Sequence, residues 1–160
     1  MRIAGAIEAA YLSDDITVEI IADGMHLPYE LLQMVYKIKG ADRTALVTDA
    51  MRGATMPEGP SVLGRLAEGH DCIIEDGIAK MPDRTCFAGS VATADRLVRT
   101  FYKNGIVPLA EAVALMTKRP AQSLGIKNKG LIKKGYDADV VIFDDDINVS
   151  RVIVGGNVVK

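Results

Sequence analysis

The fold is decided by Thr17–Ala50, whose sequence is TVEIIADGMHLPYELLQMVYKIKGADRTALVTDA. Two apolar runs within it, Thr17–Ala22 and Thr44–Val47, are typical of strands that are covered on both faces. Between them, Pro28–Gly40 has apolar residues at helical spacing, which predicts a helix with Pro28 as its first residue and a glycine as its stop. The order of strand, helix and strand therefore predicts a β-α-β unit of an α/β protein.

Polar groups follow each predicted strand directly. Asp23-Gly24-Met25-His26 follows the first strand, and Thr48-Asp49-Ala50 follows the second. The loops at the carboxyl ends of parallel strands converge on one face, so we expect His26 and Asp49 to lie on the same face.

Each of these two side chains has more than one interpretation. A carboxylate at the end of a buried strand is partly desolvated, so Asp49 needs a metal, a metal-bound water or a capping N–H as its partner. A catalytic role and a turn-capping role are equal alternatives for it. His26 suits a substrate oxygen, a phosphate or a metal, but its spacing alone favours a histidine that is hydrogen-bonded to the backbone.

The middle of the chain contains a second set of signals. Asp76-Gly77 predicts the tight turn of a β-hairpin within residues 62–88, after a long loop over Met51–Ser61. Phe87-Ala88-Gly89-Ser90 predicts a strand-to-helix turn with Ser90 as the N-cap. Backbone N–H groups at such a helix start suit an anion or a sugar hydroxyl, and a plain N-cap explains the pattern equally well. Arg52 and Arg119 would favour a phosphate, although solvated arginines are commoner.

The remaining segments complete the expected element order. We predict helices over Ile3–Tyr11, over residues 94–105, from Pro108 onward and over Pro120–Leu124. After a boundary near residues 125–130 the pattern changes to short strands. These are predicted at Leu131-Ile132, Ala138–Phe143, Arg151–Val154 and Asn157–Val159.

Composition limits the class of protein. The 160 residues carry a net charge of −2 without a long basic run, which argues against nucleic acid as a partner. No apolar run approaches the roughly 20 residues that span a bilayer, so no membrane contact is expected. Two cysteines without paired spacing, Cys72 and Cys86, indicate a reducing, cytoplasmic location. With only His26 and His70 in the chain, and His70 expected at the surface, we predict no complete metal site.

The motifs together resemble the N-acetylglucosamine-6-phosphate deacetylase family of the amidohydrolase superfamily. The matching stretches are Ile21–His26, Lys39-Gly40, Leu46–Met51, Phe87–Ser90, Arg119-Pro120-Ala121, Gly130-Leu131-Ile132 and Gly135–Val141. The last stretch is specific only to the superfamily. Two motifs, A-D-G-x-H at residues 22–26 and V-T-D-A at residues 47–50, narrow the resemblance to the deacetylases. The resemblance covers only the carboxyl-terminal part of that family.

The resemblance implies a fold and a reaction. It implies that residues 1–127 are the last part of a metal-dependent (β/α)₈ TIM barrel, with a hairpin insertion at about 62–88. Residues 128–160 would then be strands of a small β-sandwich. The family removes acetate from N-acetylglucosamine 6-phosphate and leaves glucosamine 6-phosphate. The divalent metal, zinc or similar, would be held by ligands outside this chain.

The resemblance also implies roles for individual residues. Asp49 matches the catalytic aspartate, which activates the metal-bound water and then protonates the leaving amine. The substrate-contacting positions that it implies are Asp23, Gly24, Met25, His26, Phe87, Ala88 and Gly89. Arg52 departs from the family pattern, because a smaller residue is usual there, and this leaves the substrate preference open.

Two alternatives stay open from the sequence. One is a non-catalytic module that keeps the sugar-phosphate contacts, and the other is an amidohydrolase acting on another N-acyl amine. The expected partners are a small amino-sugar phosphate and a second chain, either a homo-oligomer or the missing amino-terminal part. A second chain is expected because unpaired strand edges and apolar faces need cover.

Overall fold

Residues 5–160 form three separate sheets and five helices. The computed structural model describes residues 5–160. Its elements, in chain order, are α1 Ala6–Leu12, β1 Val18–Ile20, α2 Tyr29–Lys39, β2 Thr44–Leu46, β3 Gly59–Leu63, β4 His70–Glu75, β5 Ile78–Lys80, β6 Phe87–Gly89, α3 Ala94–Lys103, α4 Leu109–Met116, α5 Lys118–Ser123, β7 Val140–Phe143, β8 Val149–Val154 and β9 Asn157–Val158. The predicted first residues of α1, Ile3 and Ala4, lie outside the described residues.

The predicted β-α-β unit is confirmed. β1 and β2 pair in parallel, with Val18 opposite Thr44 and Ile20 opposite Leu46. α2 connects them, but Pro28 is its N-cap and not its first helical residue, because its ψ of 156° is extended. Proline fits this position because the missing N–H is one of those that a helix start leaves without a partner.

The apolar face of α2 is narrower than its sequence predicts. Of the apolar residues at helical spacing in this segment, Leu32 and Val35 are buried, but Ile38 is exposed. Lys39 is buried in its place, and its Nζ donates to Ala10 O at 2.9 Å and to Ser13 O at 2.6 Å. A lysine here satisfies carbonyl groups at the end of α1, which explains why the charged residue is inside.

The main core lies between the β1-β2 pair and the helices. α3 and α4 pack against each other, and α4 and α5 contact β2. The buried residues of this core are Ile20, Ala22, Leu32, Val35, Leu46, Ala92, Leu97, Val98, Phe101, Val107, Ala112, Leu115 and Ile147. This core packs against β1 and β2 and so fixes the position of the loops at their carboxyl ends.

A four-stranded antiparallel sheet, in the order β3-β4-β5-β6, forms the hairpin region. The Asp76-Gly77 turn is confirmed, with φ values of 54° and 73° that belong to a tight hairpin turn. The predicted loop over Met51–Ser61 is wrong at its end, because β3 begins at Gly59 and pairs with β4. Gly59 and Pro60 are tolerated there because β3 is an edge strand of this sheet.

The junction after β6 also differs from expectation. Ser90 is not the N-cap of α3; Thr93 is. Ser90 is fully buried, its Oγ accepts the N–H of Ala92 at 3.0 Å, and its backbone forms a parallel bridge with Ala50. The chain therefore needs three further residues after Ser90 before it can turn into the helix.

The last part of the described chain is a three-stranded antiparallel sheet, β7-β8-β9. The predicted strand at Leu131-Ile132 is wrong: this segment is irregular, and Ile132 is 90% exposed. The short helix predicted from Pro120 begins earlier, at Lys118. Within residues 5–160, every helix is too short or too polar to cross a membrane.

Lys39 offers a test of the packing between α1 and α2. Lys39→Met keeps the apolar stem but removes both hydrogen bonds to the end of α1, so we expect the free energy of unfolding to fall by roughly 1–2 kcal/mol in urea titrations. Lys37→Met, an exposed change on the same helix, is the matched control. Equal effects of the two changes would contradict the role given to Lys39.

Candidate active site

The loop after β1 is organised by the carboxylate of Asp23. The Asp23 side chain is fully buried, and its Oδ1 accepts the backbone N–H groups of Met25 and His26, both at 2.9 Å. Its Oδ2 lies 2.9 Å from His26 Nδ1. Gly24 has a φ of 76° and packs so closely that an added Cβ would lie 3.1 Å from the Tyr29 ring. The loop is therefore fixed by its own residues.

The charge of Asp23 is maintained in spite of burial. Burial by itself raises the pKa of Asp23. The backbone N–H groups of His26 and Met25 and the His26 side chain outweigh that effect, so the pKa of Asp23 lies below its ordinary value. Asp23 is therefore a carboxylate, an acceptor only, at neutral pH.

His26 lies between this loop and β6. Its ring packs edge-on against Phe87, with ring centroids 5.4 Å apart and an interplanar angle of 61°. The His26 side chain is 20% exposed, and Phe87 is 46% exposed. The two rings form a partly exposed aromatic pair. This contact joins the loop after β1 to residues 87–90, two of the segments that the sequence predicts to be functional.

Asp49 follows β2 in an unusual backbone conformation. Its φ is 45°, a left-handed value that aspartate and asparagine tolerate better than most residues. The partial desolvation expected for its carboxylate is wrong, because Asp49 is exposed. The turn just past the end of β2 carries the side chain outward, and within residues 5–160 the carboxylate has no hydrogen-bond partner. Turn capping by this side chain is therefore not seen in the described part of the chain.

The backbone on both sides of Asp49 is held firmly. Before it, the N–H of Val47 donates to Ile20 O at 3.1 Å; after it, the N–H of Met51 donates to Ser90 O at 2.8 Å. This second hydrogen bond is part of the parallel bridge between Ala50 and Ser90. The exposed Asp49 carboxylate, on a backbone held by these hydrogen bonds, is therefore accessible to a ligand.

The two strand ends meet on one short segment, residues 87–90. His26, from the loop after β1, contacts Phe87, and Ala50, after β2, pairs with Ser90. The loop after β1 and the segment after β2 therefore both contact residues 87–90. The sequence alone does not show this contact, because residues 87–90 are far away in the chain.

Met51 is a residue that sequence reasoning misses. It packs against the second apolar cluster, which is formed by Cys72, Ile74, Ala79 and Ala88. Gly89, with a φ of 144°, lies beside it, and an added Cβ would be 3.4 Å from Met51 Cγ, an ordinary contact distance. No local sequence pattern indicates this packing, because the residues of the cluster are far from Met51 in the chain.

The two arginines considered for a phosphate have protein partners. Arg52 donates to the Gly64 carbonyl. Arg119 Nη2 lies 2.6 Å from Asp42 Oδ1, and its side chain is only 18% exposed. Both contacts serve the fold, so neither arginine is a free anion site here. His70 is exposed on β4, as the sequence predicts.

The described residues do not fit a metal on their own. Within residues 5–160, no three His, Cys, Asp or Glu side chains come together in a group that could hold a metal ion. Cys72 and Cys86 are both free thiols, one buried and one exposed.

Comparison with known proteins agrees with this architecture. The amidohydrolase family model matches residues 3–159. N-acetylglucosamine-6-phosphate deacetylase of Lysinibacillus sphaericus is 34% identical over 157 residues, covering 98% of this chain and 39% of the relative. The enzyme of the same name from Danio rerio is 32% identical, with 86% and 33% covered.

Solved structures give the same result. The N-acetylglucosamine-6-phosphate deacetylase of Thermotoga maritima superposes with a TM-score of 0.86 at 33% identity, covering 98% of this chain and 42% of that one. A mutant deacetylase from Mycobacterium smegmatis, in complex with N-acetyl-D-glucosamine-6-phosphate, gives 0.85 at 29% identity, with 96% and 40% covered. This chain spans less than half the length of these relatives. Because the family model matches almost its whole length, the chain belongs to the amidohydrolase family.

Proposed function

We propose that this chain is the carboxyl-terminal portion of an N-acetylglucosamine-6-phosphate deacetylase. β1 and β2 are then the last two strands of a (β/α)₈ barrel within residues 1–127, residues 62–88 are a hairpin insertion, and residues 128–160 belong to a β-sandwich. The observation that carries the proposal is the meeting of the Asp49 turn and the His26 loop on residues 87–90. Active sites of such barrels lie at the carboxyl ends of the strands, where these three segments lie.

Asp49 is the proton-transfer group of the proposed reaction. Water adds to the acetyl carbonyl carbon while the Asp49 carboxylate accepts one of its protons. When the C–N bond breaks, Asp49 returns that proton to the amine nitrogen, which leaves acetate and the free amino sugar. An exposed carboxylate on a fixed turn suits this role, because it is accessible to water.

The metal would come from outside the described residues. Amidohydrolases are generally metal-dependent, whereas the side chains of residues 5–160 offer no suitable group of ligands. We assign the ligands of a divalent metal, zinc or similar, to the part of the relatives that this chain does not span. No step of the proton transfer above depends on which metal it is.

The remaining site residues form the substrate contacts. His26 and Phe87 present partly exposed rings, and Met25 is also exposed at this loop. Gly24 and Gly89, both with positive φ, let the backbone approach closely, and the buried Ala88 supports β6. A surface of aromatic edges and backbone groups suits the faces and hydroxyls of a sugar.

Two further proposals concern where the chain works and with what. The exposed apolar side chains of Ile7, Leu12 and Ile38 on α1 and α2 support cover by a second chain, either another copy or the rest of a barrel. Two free thiols support a reducing compartment, the cytoplasm.

His26→Ala tests the substrate contact. The test enzyme is a chimera in which this chain replaces the matching carboxyl-terminal part of the Lysinibacillus sphaericus relative. We expect KM for N-acetylglucosamine 6-phosphate to rise about tenfold, in line with the loss of one hydrogen bond to substrate, while kcat changes much less. His70→Ala, the other histidine, is the control. Unchanged KM and kcat in His26→Ala would exclude the contact.

A further inference from the structure

The carboxylate of Asp23 is not accessible to a ligand, because its side chain is fully buried. Its Oδ1 accepts two backbone N–H groups, and its Oδ2 faces His26 Nδ1 at 2.9 Å. Among residues 5–160, the only side chain that Asp23 bonds is His26, which is 20% exposed. Apart from holding the backbone of this loop, Asp23 can therefore act on a ligand only through the His26 ring.

We propose that Asp23 is a positioning residue that holds neutral His26 in its Nδ1–H tautomer, so that Nε2 presents a lone pair to a hydrogen-bond donor of the substrate. This assigns Asp23 a role through His26 in place of the direct substrate contact that the resemblance implies. The identity of the substrate rests on the proposed function, but the tautomer does not.

The tautomer follows from what each atom can do. A carboxylate only accepts hydrogen bonds, so at 2.9 Å from its Oδ2 the His26 Nδ1 must carry the hydrogen. The lowered pKa of Asp23 keeps this group ionised at neutral pH, which supports the argument. A neutral imidazole carries a single N–H, so Nε2 is then an acceptor.

The other ring nitrogen is available. Within residues 5–160, His26 Nε2 has no hydrogen-bond partner, and it is not among the buried polar atoms left without one, which are Thr44 Oγ1 and Arg119 Nε. Solvent or a ligand can therefore reach Nε2. The edge-on contact with Phe87 fixes the plane of the ring and hence the direction of this lone pair.

The tautomer selects a class of ligand group. A hydroxyl or an amide N–H can donate to Nε2, whereas a fully ionised phosphate oxygen only accepts and finds no hydrogen there. We therefore assign neutral His26 to a sugar hydroxyl or to the acetamido N–H, and not to the phosphate group.

Asp23→Asn reverses the polarity of this contact. The side-chain oxygen of the new asparagine keeps the two backbone N–H groups, so its NH₂ group takes the place of Oδ2 and donates to Nδ1. His26 must then move its hydrogen to Nε2, as when an asparagine replaces the aspartate that orients a catalytic histidine.

The test is nitrogen-15 NMR of the histidine rings in the full chain at a pH where both histidines are neutral. We expect protonated Nδ1 for His26 in the unmodified chain and protonated Nε2 in Asp23→Asn. His70 is an internal reference in every spectrum, and Asp71→Asn, an exposed change next to it, is the matched control that should leave His26 unchanged.

Two results would overturn the proposal: Nε2–H as the main form of His26 in the unmodified chain, or Nδ1–H retained in a folded Asp23→Asn variant. If Asp23→Asn does not fold, the spectrum of the unmodified chain still decides. The measurement needs no substrate, metal or turnover, so its failure and a failure of the deacetylase assignment are separate outcomes.

Discussion

Asp49→Asn in the chimera should lower kcat for N-acetylglucosamine 6-phosphate by about 10²–10⁴-fold and leave KM nearly unchanged. An amide has the shape of the carboxylate but cannot accept a proton from water, so both proton transfers lose their carrier. Asparagine also tolerates the φ of 45° at this position, so the turn should keep its structure. Initial rates of acetate release over a range of substrate concentrations measure both constants.

A matched control separates chemistry from charge. Asp71→Asn removes one exposed carboxylate on β4, which is not among the candidate site residues, and should leave kcat unchanged. If Asp49→Asn retains more than about a tenth of the rate, less than about 1.4 kcal/mol of barrier depends on this carboxylate. Asp49 would then be a turn residue and not the proton carrier.

The 160-residue chain by itself should release no measurable acetate from N-acetylglucosamine 6-phosphate, with or without added zinc. The reason is that its residues 5–160 do not form a metal-ligand group, although the Asp49 turn and the His26 loop are in place. Adding the amino-terminal portion of the Lysinibacillus sphaericus relative as a separate chain should restore release if the two portions associate.

The state of the chain is checked in the same preparation. Light scattering should show that the ordered form is larger than a lone monomer, because the apolar faces of α1 and α2 need cover. Host enzyme must be removed, since a trace would mimic activity. Robust zinc-stimulated acetate release by the purified chain alone would contradict the account, and a monodisperse, cooperatively unfolding monomer would contradict the association.

Local patterns predicted the elements that depend on them. The apolar runs before and after α2 predict the parallel strand pair, and Asp76-Gly77 predicts the hairpin turn. Both predictions are correct because each signal lies within a few adjacent residues. The predicted helix starts at Pro28 and Ser90 are each wrong by one or more residues. Several residues near a helix end suit a cap, and tertiary contacts determine which of them is used. Ser90 is used instead to pair with Ala50.

Long-range contacts could not be predicted from sequence. Lys39 is buried because carbonyl groups of α1 need a donor, and nothing in the periodicity of α2 shows this. Gly59 and Pro60 usually mark a loop, so the local sequence predicts a loop where pairing with β4 forms the strand β3. The meeting of His26 with Phe87, and the use of Asp23 to hold His26, likewise need the folded chain.

The deacetylase assignment is tested by the acetate that the unmodified chimera releases from N-acetylglucosamine 6-phosphate and from other N-acyl amines, with its bound metal determined. We expect a metal-containing enzyme that turns over N-acetylglucosamine 6-phosphate with the highest kcat/KM of the panel. A folded, metal-loaded chimera that binds this substrate without turnover would show a non-catalytic binding module. Preference for another N-acyl amine would equally contradict the assignment.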